Sequence, residues 1–128
     1  MSKSNGSLTR EQFLAVQNPP PVPLEVPEWG RVYVRVISAL ERDKLGNDIG
    51  GPGGREFWRA RIVRYGVCDG DGKPLFSDAD VLAIAGKSGV AIDFIADKVI
   101  EVNKMRAEDA EAARKNSVAA PADALPAG

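Results

Sequence analysis

The stretch that decides the fold is FWRARIVRYGVCDGDGKPLF, from Phe57 to Phe76, followed at once by SDADV at residues 77–81. Its first part predicts an amphipathic helix, because apolar residues recur at helical spacing with arginines between them. The Asp-Gly pairs that follow predict a tight turn. Ser77, with Asp80 three residues later, predicts the start of a second helix, since a serine in that place caps free backbone N–H groups.

Downstream of this unit lies the strongest helical pattern in the chain, from Val90 to Met105. Apolar side chains recur there every three or four residues, while charged side chains occupy another face. The predicted apolar seam of this helix consists of Ile92, Ile95, Val99 and Val102.

Upstream of the unit, alternating apolar residues on either side of Pro27–Gly30 predict a β-hairpin with one apolar face. Because an isolated hairpin is only marginally stable, that face must lie on helices. Ser38 and Glu41 form the S-x-x-E capping box of a further helix, which we expect to end at Gly46. The glycine-rich residues 46–54 are expected to form a mobile loop, since glycine loses much backbone entropy on ordering.

These elements predict one folded domain, residues 22–106, with flexible termini. Residues 1–21 are expected to form a flexible arm that contains a short helix within Leu8 to Val16, with Thr9 as its N-cap, and then a proline-rich spacer. Residues 107–128 are expected to form a polar helix extension and a disordered Ala/Pro tail. The predicted fold class is therefore α+β, mainly α: a β-hairpin packed on a small bundle of about four helices.

The composition argues against several functional classes. The 128-residue chain has a net charge of −1, which gives it no field that would attract nucleic acid or an anionic membrane. No apolar run approaches the ~20 residues that span a bilayer. The chain has no histidine, so its single cysteine, Cys68, lacks the usual base that activates a thiol. We therefore expect a non-enzymatic protein of a reducing cytoplasm, with no cofactor and no nucleic-acid or membrane partner.

One candidate metal site was tested against its ligand pattern. Asp69, Asp71 and Asp80 occupy positions one, three and twelve of a calcium-loop window. However, Lys73 stands where an oxygen ligand is needed, and Pro74 replaces the glycine of the sharp central turn. We interpret the segment as a plain turn before a helix.

The order of these motifs resembles the tail assembly chaperones of long-tailed bacteriophages, the siphophages. The resemblance rests on VPEWG at Val26 to Gly30, SALERD at residues 38–43, the segment from Cys68 to Val81, and VNK at the end of the last helix. It implies a largely helical protein that binds the tape measure protein, keeps it soluble before the tail tube polymerises, and is absent from the mature virion. It also implies action in the cytoplasm of an infected bacterial host. A longer form of the same chain, made by programmed frameshifting, is a further partner that the resemblance implies.

A holdase of this kind needs exposed apolar surface rather than a reactive pocket. We expect that surface to comprise Trp29 and Tyr33 of the hairpin with the helical seam of Ile92, Ile95, Val99 and Val102. The alternative is that these side chains only close the core. Self-association is expected as well, because several copies cover a long client better than one. The alternative function is a structural virion component, such as a head-tail connector or minor tail protein, and a small catalytic domain is a third reading.

Overall fold

The computed structural model describes residues 6–53 and 55–105, so residues 1–5 and the predicted polar extension and Ala/Pro tail lie outside the described part. The described part confirms the predicted class, α+β and mainly α. In chain order its elements are α1 (Arg10–Leu14), β1 (Val22–Val26), β2 (Gly30–Val34), α2 (Ala39–Gly50), α3 (Trp58–Gly66), β3 (Val67–Cys68), a 3₁₀ turn (Asp78–Asp80), α4 (Val81–Ala85) and α5 (Gly89–Val102).

The predicted hairpin is present, and it gains a third strand. β1 and β2 pair antiparallel from Val22 opposite Val34 to Val26 opposite Gly30. At the turn, the Trp29 N–H donates a hydrogen bond of 3.0 Å to the Val26 carbonyl, and Glu28 adopts a positive φ of 71°. The short β3 pairs antiparallel with β2 on its other side, so the sheet order is β1-β2-β3 over the described residues.

The core lies between this sheet and the helices. α5 contacts both β1 and β2, while α3 packs against α2, α4 and α5. The largest side chains that are almost wholly buried come from several of these elements: Ile62, Val34, Val67, Val99 and Cys68. α3 and α5 meet where Gly66 faces Val99, and a Cβ atom built on Gly66 would lie only 2.4 Å from Val99 Cγ1. Glycine is therefore required there by close packing.

Asn103 ties the end of α5 to the chain that leaves the sheet. Its side-chain oxygen accepts a hydrogen bond of 2.8 Å from the Ile37 N–H. Its amide nitrogen donates to the carbonyl oxygens of Arg35 at 3.1 Å and Val99 at 3.0 Å. The Asn103 side chain thus satisfies backbone groups of the segment between β2 and α2, which would otherwise be buried without partners.

The structure corrects the predicted end of α2 and the predicted loop. The helix does not stop at Gly46 but continues to Gly50, because Leu45 and Ile49 are buried in the core. The Tyr65 hydroxyl of α3 also donates a hydrogen bond of 3.1 Å to the Asp48 carboxylate. Burial and this bond raise the pKa of Tyr65 to about 12. Within residues 46–54, the first five are therefore helical, against our expectation of a mobile loop.

The local capping predictions are confirmed. Ser38 and Glu41 form a reciprocal capping box at the start of α2, and Ser77 with Asp80 forms one at the 3₁₀ turn that leads into α4. The short helix of the arm is also present, with Thr9 and Gln12 capping each other. α5 begins one residue before the predicted start and ends at Val102, and Lys104 beyond it adopts a positive φ of 56°.

Replacing Asn103 tests the junction between α5 and the sheet. We expect Asn103→Ala to lower the free energy of unfolding by about 2–4 kcal/mol, because buried backbone groups of Ile37 and Arg35 lose their partners. Urea denaturation measures this change, with Asn47→Ala as the matched control on the exposed surface of α2, where we expect a change within about 0.5 kcal/mol. Equal effects of the two substitutions would contradict this role of Asn103.

Replacing Gly66 tests the close contact between α3 and α5. We expect Gly66→Ala to destabilise the fold by roughly 1–3 kcal/mol, because the new methyl group overlaps Val99. In a double-mutant cycle, Gly66→Ala should cost less in a Val99→Ala background, since the overlapping methyl groups are gone. The matched control is Gly46→Ala, which faces open space inside α2 and should stabilise by about 0.5–1 kcal/mol. Additive effects of the substitutions at Gly66 and Val99 would show that they do not meet.

Candidate functional site

The structure separates the predicted partner-binding residues into exposed and buried sets. Trp29 is 48% exposed, and Tyr33 is half-buried on β2. By contrast, Ile92, Ile95 and Val99 are buried, and Val102 is half-buried against the core; this corrects the expectation that the seam of α5 is a surface. The physical reason is that α5 is the helix that covers the hairpin and α3 together, so its apolar seam is used to close the core.

An apolar groove of about 250 Å³ opens beside Trp29. We call it the Trp29 groove. Its walls come from the hairpin turn, the loop after β3, and α4, while its floor is formed by α3 and α5. The residues that line it are Trp29, Val32, Val63, Val67, Leu75, Phe76, Asp80, Ala83, Ile84, Lys87, Ile92 and Ile95. Two members of the predicted seam, Ile92 and Ile95, therefore reach the groove from below, whereas Val99 and Val102 do not line it.

Short-range hydrogen bonds hold the walls of the Trp29 groove in place. The Asp69 carboxylate accepts hydrogen bonds from the N–H groups of Asp71 at 2.8 Å and Lys73 at 3.0 Å. The bond from the Lys73 backbone lowers the pKa of Asp69, and the pair of bonds fixes the loop that presents Leu75. The Asp-Gly segment that resembles a calcium loop thus uses its first carboxylate to order its own backbone.

The wall formed by α4 is fixed separately. Asp80 accepts a hydrogen bond of 2.8 Å from the Ser77 N–H, which sets the direction of the chain as it enters α4. An ion pair of 2.9 Å between Arg64 Nε and Asp78 joins the 3₁₀ turn to α3. The Arg64 side chain is 17% exposed, but Asp78 is 72% exposed, so water still screens this ion pair from the Asp78 side. Ala83 is exposed on the resulting wall, with its side chain lining the groove.

A second apolar surface lies on the other side of Trp29. We call it the Val90 strip, and it consists of Pro27, Val90 and Phe94 around a depression that Glu28 and Ser88 also line. Val90 is 83% exposed and Phe94 is 41% exposed. Trp29 therefore stands between a groove and an apolar strip, and the two together form a continuous apolar face. Such a face is typical of a site that binds another polypeptide.

The turn beneath Trp29 keeps this aromatic side chain outside the core. Pro27 fixes its own φ, and Glu28 is held at a positive φ, which is unfavourable for a residue with a Cβ atom. A conformation of this kind persists where the surrounding structure enforces it, and it is frequent at binding sites. Here it places Trp29 at the tip of the hairpin, where the ring borders both apolar surfaces.

The described residues offer little for thiol or metal chemistry. Cys68 is buried, and burial raises the pKa of its thiol, which keeps it protonated near neutral pH. Among residues 6–53 and 55–105, no group of three or more His, Cys, Asp or Glu side chains is placed to hold a metal ion. In the same part of the chain, no helix combines the length and apolar character needed to cross a membrane. What the site does offer is apolar contact, with one acidic and one basic side chain, Asp80 and Lys87, at its rim.

Comparison of the chain with protein-family models, with curated proteins and with solved structures found no match. The groove itself is the main guide to function. Sequence reasoning identified Trp29 but missed Leu75, Ala83 and Lys87 as lining residues. The signal for Leu75 was available, because it is an apolar residue between a proline and Phe76 in the segment from Cys68 to Val81.

The apolar character of the Trp29 groove can be tested with an environment-sensitive dye. We expect 8-anilinonaphthalene-1-sulfonate to bind the folded protein with increased fluorescence. Ala83→Glu should reduce this increase, because it introduces a charge into the groove without touching the core. Leu40→Glu, which changes an exposed leucine of α2 away from the groove, should leave it unchanged. Equal dye binding by both variants would place the apolar site elsewhere.

Proposed function

We propose that this protein is a tail assembly chaperone of a bacteriophage, which binds the tape measure protein and keeps it soluble during tail assembly. The client segment is an amphipathic helix that lays its apolar face into the Trp29 groove. The observation that carries this proposal is the half-open apolar groove beside an exposed tryptophan. The order of motifs that resembles the tail assembly chaperone family supplies the identity of the client.

The apolar lining of the groove favours an amphipathic helix as the ligand. Apolar side chains from the hairpin, the loop after β3 and α4 surround it, and side chains of α3 and α5 close its base. A helix offers apolar side chains at positions i, i+3, i+4 and i+7 on one face, which is the usual way in which a groove of this kind is filled. Trp29 supplies the large, rigid aromatic surface that carries much of the binding energy in many interfaces.

The two charged side chains at the rim of the groove can select the orientation of the client helix without adding much affinity. Asp80 and Lys87 can pair with charges on either flank of an amphipathic helix, and both act at the edge of the site. Edge charges steer association and orientation more than they add affinity. A small apolar contact with exposed edges is expected to be reversible, since much of its gross energy is offset by lost motion. Reversibility is what a chaperone requires if it is to leave before assembly is complete.

On this proposal the protein acts in the cytoplasm of the infected bacterial host and is absent from the mature virion. A longer, frameshifted form of the chain would share the described domain and hence the groove. Purified phage particles separate this function from that of a structural component. A structural subunit would be recovered in stoichiometric amounts from the particles, and that result would contradict the chaperone role.

Co-expression with the tape measure protein from the same source tests the function directly. We expect the wild-type chain to raise the soluble fraction of the client severalfold, whereas Ala83→Glu and Trp29→Ala should return it towards the level seen without the chaperone. Leu40→Glu is the matched surface control and should retain the wild-type effect. Thermal melts establish that the variants are folded. A client whose solubility does not respond to the wild-type chain would refute the proposal.

A further inference from the structure

The N-terminal arm carries an apolar surface that nothing in the described part of the chain covers. α1 has no buried residue, and four large apolar side chains on and around it are between 59% and 67% exposed: Leu8, Phe13, Leu14 and Val16. Apolar residues this dense on a nine-residue segment are unusual for a surface that stays in water. The segment from Leu8 to Val16 therefore presents an apolar surface that the rest of the described chain leaves uncovered.

The short helix of the arm is also preorganised for binding. A five-residue helix is marginal in water, yet Thr9 and Gln12 form both hydrogen bonds of a capping box, at 3.1 Å and 2.9 Å. A helix that is locally specified loses less conformational entropy when it binds. The prolines at residues 19–21 then form a stiff spacer that separates the helix from β1.

We propose that the segment from Leu8 to Val16 of one copy docks into the Trp29 groove of a second copy of this chain. The arm supplies apolar side chains on a short helix, and the groove supplies an apolar floor and walls of matching character. The charges do not oppose this contact. Arg10 and Glu11 at the start of α1 form an exposed ion pair of 3.9 Å with each other, and the groove has one acidic and one basic side chain at its rim, so neither surface carries an excess of one sign.

The topology favours a second copy over the arm's own groove. β1 runs from Val22 towards the hairpin turn, so the chain that precedes Val22 leaves the sheet at the end opposite Trp29. Residues 17–21 lie beside Arg35, Val36 and the 71–72 turn at that end. The spacer therefore joins the sheet at the end away from its own groove, and its consecutive prolines keep it extended there.

Arm and groove are different surfaces of the chain, so the contact is heterologous, and it leads to a ring or an open chain of copies. The inference rests on the proposed function in one respect, namely that the Trp29 groove is a site for an apolar helix. It adds that the arm of a neighbouring copy and the client compete for that site. A client helix would then displace the arm, which couples client binding to the breaking of contacts between copies.

Sedimentation velocity with two complementary variants tests the arrangement. The wild-type chain is expected to show a sedimentation coefficient that rises between roughly 10 μM and 1 mM, as befits a small interface. Phe13→Glu should prevent the arm from docking, and Ala83→Glu should prevent the groove from receiving it. Each variant alone should therefore remain monomeric over that concentration range. Mixed in equal amounts, they should form a dimer and nothing larger, because only one intact arm and one intact groove remain to meet. Leu40→Glu should associate like the wild type.

Three outcomes would overturn the inference: a wild-type chain that is monomeric at 1 mM, a Phe13→Glu variant that associates like the wild type, or a mixture that yields no dimer. A wild-type monomer whose Phe13→Glu variant gains dye binding would show that the arm fills its own groove. The inference and the proposed function fail separately. Phe13→Glu leaves the groove intact, so it should still solubilise the client, whereas Ala83→Glu should lose both self-association and client binding.

Discussion

The fold depends on the close approach of α3 and α5 at Gly66, where no room remains for a Cβ atom beside Val99. Because the two helices lie so close, the residues that follow Gly66 emerge next to the sheet and pair with β2 as β3. The Arg35 N–H also donates a hydrogen bond of 2.9 Å to the Gly66 carbonyl. Gly66 thus sets the distance between α3 and α5, and its carbonyl group joins α3 to the chain that follows β2.

The groove follows from the way in which this core is closed. α5 covers the hairpin along its seam, whereas α4 is only five residues long and packs mainly on α3. A longer helix in that place would fill the space beside Trp29, and the short helix leaves it open. The turn that holds Glu28 at positive φ places Trp29 at the border of this space. An open apolar groove is unfavourable in water, which is why we propose that another apolar surface occupies it.

Local signals predicted much of the fold, and tertiary contacts decided the rest. The capping serines and the hairpin turn act over three or four residues, so Ser38, Ser77 and Pro27 could be interpreted from sequence alone. Gly46 was misleading, because the burial of Ile49 outweighs the entropy that a glycine loses inside a helix. For the site, the composition of α5 showed an apolar seam, but periodicity does not tell whether a seam faces the core or a partner. The groove itself joins residues far apart in the chain, from Trp29 to Ile95, and no local pattern specifies such a set.

If the protein is a tail assembly chaperone, as we propose, a weak groove suits its long client better than a strong one. A tape measure protein offers many apolar helical segments in one chain, so several weak contacts along it add up to tight retention while each contact opens and closes rapidly. If neighbouring copies also held each other through their arms, the local concentration of grooves along the client would rise further. The same weakness permits removal, because a polymerising tail tube need displace the copies only one at a time. On this argument, a substitution that tightened the groove would slow release and impair assembly even as it improved binding, since retention and release depend on the same contact.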